Sequence, residues 1–504
     1  ADRGRARDGV VELEMAVAGR TDGASHAVGP FFANLHAVKR VRRESARIKV
    51  AHDGRDIAVT SALGCTSLDN AFNNVESSIG PVGAGGLKAL DAWIRAELEA
   101  VQTALAAEDA MVLNFSEHPA LAITEEIYRR IRAPKAIYDY WVKYRRWDHK
   151  VGIDAKAQNS PCTGVVVGDA VLALNIVLAA SPAFIALFAN SPFENGQYAG
   201  YRENRLTLWP RMFRHARFAA DDRLHRAPSR AFADLRDYFE WMFGEGSAMH
   251  LAPSQPEGGD YKEPVDPVRV EGNPSLLTFL HGQQWPVRRC RDGRRMLIRP
   301  ALAHLAFQQF AHFLDARIRF GFMREPSLDA FFAAWDQPFG LEQLFESCLS
   351  YCYIEGRAPG ANFADRPLLD EAGPEVAASV AIAPSALQAG LLRDPLAAWR
   401  WLARWPWEAL PALREAAMRD GVAGRAGPLS VRALCNQVLE IAGRELSADE
   451  AWMLAYPRHV LKSGRTGADR ALAAYDALSG SPDQRMTRLI KAREALFFPS
   501  GRPP

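Results

Sequence analysis

Apolar and polar residues alternate near the start of the chain. From Val10 to Val17 the apolar positions interleave with Glu12 and Glu14, which predicts a strand. Arg47 to Thr60 holds two short runs around His52-Asp53-Gly54 and reads as a hairpin. The period changes to 3.6 residues between Leu87 and Ala107, which predicts a long helix. A short strand is expected at Val112 to Phe115, and helices at Tyr128 to Arg146 and Ala231 to Phe243. Leu344 to Arg357 ends in a run, Tyr351 to Arg357, that reads as a strand, and from Pro384 onward nearly every segment is helical. The longest apolar run, Val171 to Ala189, is long enough to span a bilayer, but Asn175 and the Ser181-Pro182 step favour a buried helix in a large core. A Pro- and Gly-containing stretch, Ala358 to Glu375, is the best candidate for a boundary.

Composition narrows the class without naming an activity. The 504 residues are 48% apolar and 24% charged, which excludes a disordered, collagen-like or disulfide-framework chain. Sixty-one basic residues against fifty-nine acidic give +2, so no global charge argues for nucleic acid. The six cysteines form no Cys-x-x-Cys pair and suit a reduced, cytoplasmic protein. The polar start, Ala1 to Arg5, lacks the apolar stretch of a signal peptide, and neither export nor a membrane location is expected.

Candidate chemistry lies in acidic residues spaced by two. Glu12 and Glu14 fall on one face of their strand, where like charges repel unless a cation lies between them. Oxygen ligands of this kind suit Mg²⁺ or Mn²⁺, although a solvated edge face has the same pattern. Asp69 and Glu76 lie seven apart, about two turns if helical, or able to converge if a turn leads into a strand. Glu355 and Arg357 repeat the two-residue spacing, as a metal-binding carboxylate beside a phosphate-binding guanidinium or as a plain salt bridge. Gly83 to Lys88 lacks the ending of a phosphate loop and reads as a turn opening a helix.

Several motifs together carry a resemblance. Asn190-Ser191-Pro192-Phe193, followed by Gly196, Gly200, Arg205 and Trp209, resembles a signature stretch of glutamate–cysteine ligases and related carboxylate–amine ligases. Gly9 to Glu14, Asp69 to Glu76 with Gly80-Pro81-Val82, His118-Pro119, and Tyr353 to Arg357 are similar to other elements of that family, in the same order over residues 9 to 395. The resemblance implies an α+β fold: a curved antiparallel sheet forming a funnel-shaped active site as in glutamine synthetase, flanked by helices. Residues 1–395 would be the catalytic domain and 396–504 a helical C-terminal region.

By the same resemblance, Glu12, Glu14, Asp69, Glu76 and Glu355 would bind Mg²⁺ or Mn²⁺. Arg205 and Arg357 would act in catalysis and, with Asn190, bind ATP. The implied reaction is ATP-dependent formation of a γ-glutamyl amide through an acyl phosphate, from glutamate and cysteine. Partners would be small molecules, with neither nucleic acid nor membrane, in a monomer or homodimer.

One stretch departs from the family. Where relatives carry a polar strand after Thr/Ser-Gly, this chain reads Thr163-Gly164-Val165-Val166-Val167-Gly168-Asp169. Val166 then falls where a His or Gln is expected and Gly168 where an Asn is expected. Asp154, Lys156, Gln158, Asn159 and Asp169 are candidate replacements. The departure leaves open a different amine or acid, or a non-catalytic relative that binds a nucleotide or a partner.

Overall fold

Strand β1 (Gly9–Gly19) runs through the middle of a nine-stranded sheet. The computed structural model describes residues 9–498 except 52, 84–85, 154–156, 255–265 and 311. The other strands are β2 (Arg47–Val50), β3 (Asp56–Ser61), β4 (Gly64–Leu68), β5 (Asn74–Ile79) and β6 (Ala110–Val112), then β7 (Asn159–Gly164), β8 (Ala316–Phe322) and β9 (Leu349–Gly356). Their order is β8-β9-β7-β1-β5-β4-β3-β2, with β6 pairing the end of β1, and the pairings are antiparallel.

The alternation in β1 decides the two faces of the sheet. Val11, Leu13, Met15 and Val17 are fully buried on one face, so Glu12 and Glu14 must point to the other. Helices α1 (Phe31–Val41) and α2 (Gly86–Ala106) pack together, α1 against β3 and α2 against β1 and β5. The predicted period in Leu87 to Ala107 thus corresponds to an observed helix shifted by one residue.

Under β7, β8 and β9 the supporting elements are α3 (Ala170–Leu187) and α4 (Ala383–Arg393). Helix α3 is the long apolar run, and it is buried inside the protein as expected. It continues through Pro182 instead of breaking there, and Asn175 is satisfied by both backbone groups of Phe232, at 2.8 and 3.0 Å. Helices α5 (Leu410–Asp420) and α6 (Val431–Glu445) pack on α3. Helices on both sides of residue 395 therefore share one hydrophobic cluster.

Between the strands the order of elements is broadly as the sequence predicts. The Arg47 to Thr60 hairpin forms as β2 and β3, with His52 of its turn outside the described residues. Asp69 and Glu76 lie on the turn and strand that follow β4, which settles the helix alternative against them. The stretch 128–146 is helical but divided into short pieces, including a π-helical turn at Tyr140–Arg145.

Candidate functional site

Register places the acidic residues side by side. Glu14 pairs directly with Glu76 across β1 and β5. Directly opposed residues on neighbouring strands lie about 5 Å apart at Cα, so the two carboxylates share one small region. Both are largely buried, at 6% and 8% exposure. Burial raises the Glu14 carboxyl well above the usual range, and the charges of Asp69 and Glu76 push it further in the same direction. Glu14 Oε2 accepts a hydrogen bond from Gln158 N at 3.1 Å, which holds it toward β7.

Across β7 the character of the face reverses. Glu355 on β9 lies opposite Cys162, and Arg317 on β8 lies opposite Glu355. Arg317 grips both Glu355 oxygens, at 2.8 and 2.9 Å, and Arg357 adds a bond at 2.7 Å. Arg319 stands 3.8 Å away. Burial alone would raise the Glu355 carboxyl, yet Arg317, Arg357 and Arg319 together hold it well below the usual carboxylate range. Arg357 is in turn kept protonated against burial by Glu355, Glu14 and Glu12.

Two polar side chains on this face have open bonding capacity. Asn74 precedes Glu76 by two residues, so it shares its face, and among the described residues neither amide atom has a partner although the residue is buried. Ser160 lies opposite Glu12, and its buried hydroxyl is also without a partner among the described residues. Buried polar groups are nearly always satisfied, so unmet ones beside a charged cluster fit a polar ligand.

The fold brings Glu12, Glu14, Asp69, Glu76, Glu355 and Arg357 to one face. Glu12 acts electrostatically on Cys162, Tyr353 and Arg357, and Asp69 on Glu14. Arg205 stands behind them and is only 2% exposed. Its guanidinium donates to Glu203 at 2.8 Å, to Gln158 at 3.1 Å and to the Ala358 carbonyl at 3.1 Å, fastening the end of β9 to β7. This placement makes it a support for Gln158, and through Gln158 for Glu14, where a phosphate contact was expected.

Asn190 does not join the site. Its amide nitrogen donates to Asn114 and to the Ala361 carbonyl, and its oxygen accepts from Arg493 at 2.7 Å. The nucleotide-binding role expected of it has no polar atom left to use. His118 is likewise taken up internally, between the Gly23 carbonyl and the amides of Ala120 and Leu121.

Val166 requires a correction. Strand β7 ends at Gly164, and Val166 lies beyond it at 61% exposure, ahead of a 3-10 turn that holds Gly168 and Asp169. The positions that face the site are Ser160 and Cys162, one strand segment earlier. The polar residue missing at Val166 is therefore not missing from the site. Among the proposed replacements, Gln158 bridges Glu14 and Arg205, whereas Asn159 turns to the opposite face and donates to the Asn362 carbonyl at 2.7 Å. Asp154 and Lys156 lie outside the described residues.

Arg317 and Arg319 were missed from sequence, although Arg317-Ile318-Arg319-Phe320 carries the same period-two signal as Glu12 to Glu14.

Chemically, the face offers hard oxygen donors at one end and fixed cations at the other. Among the described residues, no three His, Cys, Asp or Glu side chains are gathered as a metal cage. Magnesium does not require one, since it keeps several waters and commonly uses one or two carboxylates together with substrate phosphates. The opposed Glu14 and Glu76 fit that demand. Glu355 does not, because Arg317 and Arg357 occupy its oxygens.

No curated protein matches the chain. Residues 71–241 match the sequence model of glutamate-cysteine ligase family 2 (GCS2), a stretch that includes Glu76, β7, Asn190 and Arg205 but neither β1 nor β9. Over this stretch the chain is similar to the glutamate–cysteine ligase family.

Proposed function

We propose that the protein is an ATP-dependent ligase that joins glutamate to cysteine, forming a γ-glutamyl amide through an acyl phosphate. The observation that carries this reading is the division of one sheet face into an acidic end at Glu14 and Glu76 and a guanidinium end at Arg317, Arg319 and Arg357.

Attack of a carboxylate on a triphosphate brings two anions together. At a partly buried site that repulsion is worth several kcal/mol unless cations oppose it. Arg357 and Arg319 supply always-protonated donors suited to phosphate oxygens, with Arg317 fixing Glu355 between them. Glu14 and Glu76, with Glu12 and Asp69 beside them, would hold Mg²⁺ or Mn²⁺. Held there, such an ion would supply positive charge to offset that of the anionic substrates. Asn74 and Ser160 offer polar contacts to the bound substrates. Gln158, held by Arg205, keeps Glu14 in place. The amine then displaces phosphate from the activated acid, and this step needs no nucleophilic side chain from the protein. We place this chemistry in the cytoplasm, on small-molecule substrates, in a monomer or homodimer.

The deciding experiment is ATP-dependent coupling with glutamate and a mixture of amines, with the product read by mass. γ-Glutamylcysteine is the expected product. Another amide would identify a different acceptor, and ATP binding without amine-dependent phosphate release would identify a non-catalytic relative.

A further inference from the structure

We propose that Tyr351, backed by Tyr353, is the shelf on which the purine ring of the nucleotide stacks. The inference rests on the ligase reading and assigns the remaining end of the same site. Along β9, Tyr351, Tyr353, Glu355 and Arg357 alternate onto one face. Glu355 is buried among guanidiniums and Tyr353 is partly buried, but Tyr351 is 53% exposed. The two rings stack with centroids 5.8 Å apart and planes 29° apart.

Gly321 lies opposite Tyr351 on β8. A Cβ there would fall 2.5 to 2.9 Å from atoms of the Tyr351 ring. The ring therefore rests directly over the Gly321 backbone, leaving its outer side available. Beside it, Val165 N donates to the Cys352 carbonyl at 2.9 Å, and the next residue, Val166, adds exposed apolar surface.

The order along the sheet favours a nucleotide over any other planar ligand. Arg319 is the cross-strand partner of Tyr353, and Arg317 that of Glu355. Glu355 lies four residue steps along the strand from Tyr351, about 13 Å, which matches the reach from a purine to its terminal phosphate. Aromatic and cationic groups thus follow one another along the two strands as base and phosphates do in a bound nucleoside triphosphate. Aromatic side chains stack bases tolerantly because every base presents a π-face.

The test is calorimetric titration of wild type, Tyr351→Ala, Tyr351→Leu and Tyr351→Phe with MgATP and with magnesium tripolyphosphate, which lacks the base. Tyr351→Ala and Tyr351→Leu are expected to bind ATP about tenfold more weakly, with tripolyphosphate affinity unchanged and Tyr351→Phe like wild type. Unchanged ATP affinity in both truncations, or equal weakening of ATP and tripolyphosphate, overturns the shelf while leaving the ligase reading intact. So does a wild type that binds the two ligands equally well. A wild type that binds neither overturns the ligase reading and the shelf with it. Melting temperatures of the variants show whether each is folded, and the leucine variant carries the test if the alanine variant is not.

Discussion

Glu14 and Glu355 are the same residue type, on the same face of the same sheet, with β7 between their strands, and the surrounding charge treats them oppositely. Glu14 faces Glu76 and Asp69 and is held toward its neutral form. Glu355 faces Arg317, Arg357 and Arg319 and is held ionised. The contrast separates stored demand from settled structure. The acidic end has charge that a cation can still satisfy, whereas Glu355 is already satisfied by the protein. Sequence spacing alone treated the two alike, because period two reports which face a side chain occupies and not what faces it across the next strand.

Substitutions should separate the two ends most sharply. Glu76→Gln and Glu14→Gln are expected to reduce turnover by on the order of a thousandfold, the scale of lost Lewis-acid stabilisation. The same variants should melt at or above the wild-type temperature, since a repulsion is removed. Turnover assays with calorimetric melting check both statements, and normal turnover in both would remove the metal from the acidic end. Glu355→Gln should do the reverse in stability, costing ~3–5 kcal/mol by leaving buried guanidiniums without their counter-ion. A urea-denaturation midpoint close to wild type would show that the arginines do not depend on it.

A smaller effect of another kind concerns acid. The His118 imidazole is buried, and desolvation lowers its pKa from the ordinary 6.5 to about 4. The unfolded chain therefore binds the proton first, and stability is complete above about pH 6.5 and falls as pH drops toward 4. His118→Gln should flatten that limb of the denaturation profile, by up to roughly 3 kcal/mol. Arg357→Lys should keep the fold and the charge but lose the planar fork, with activity reduced about tenfold or more. Magnesium should raise the wild-type melting temperature by a few degrees at saturation and leave Glu76→Gln unmoved. A shift of equal size in both would place the ion elsewhere.

The strand that bears Glu12 and Glu14, and the strand that bears Glu355, were legible because each alternates cleanly between a core face and a charged one. Strand β7 was not. It carries Pro161 between β9 and β1, and proline in a central strand argues against strand assignment. The β-branched run Val165 to Val167 looks more strand-like and drew the expected polar positions downstream. Gln388 on α4 supports this strand from behind. Its amide nitrogen lies 3.0 Å from the Pro161 carbonyl, the Thr163 hydroxyl and the Ile354 carbonyl, stitching β7 and β9 from behind. That helix lies more than two hundred residues away in the chain, so no local pattern could reveal it. Asn190 and Arg205 were legible as a motif, but the motif's work is structural: one closes a buried amide network and the other braces Gln158.

The position of Arg493 bears on how the molecule is made. Its guanidinium donates to the Asn114 carbonyl, 379 residues earlier, and pairs with Asp365 at 3.1 Å, with both side chains almost wholly enclosed. Asn190 waits for a partner that lies 303 residues further along the chain. A nascent chain stalled short of that arginine leaves the buried Asp365 carboxylate without its counter-ion. Such fragments should be poorly protected against proteases.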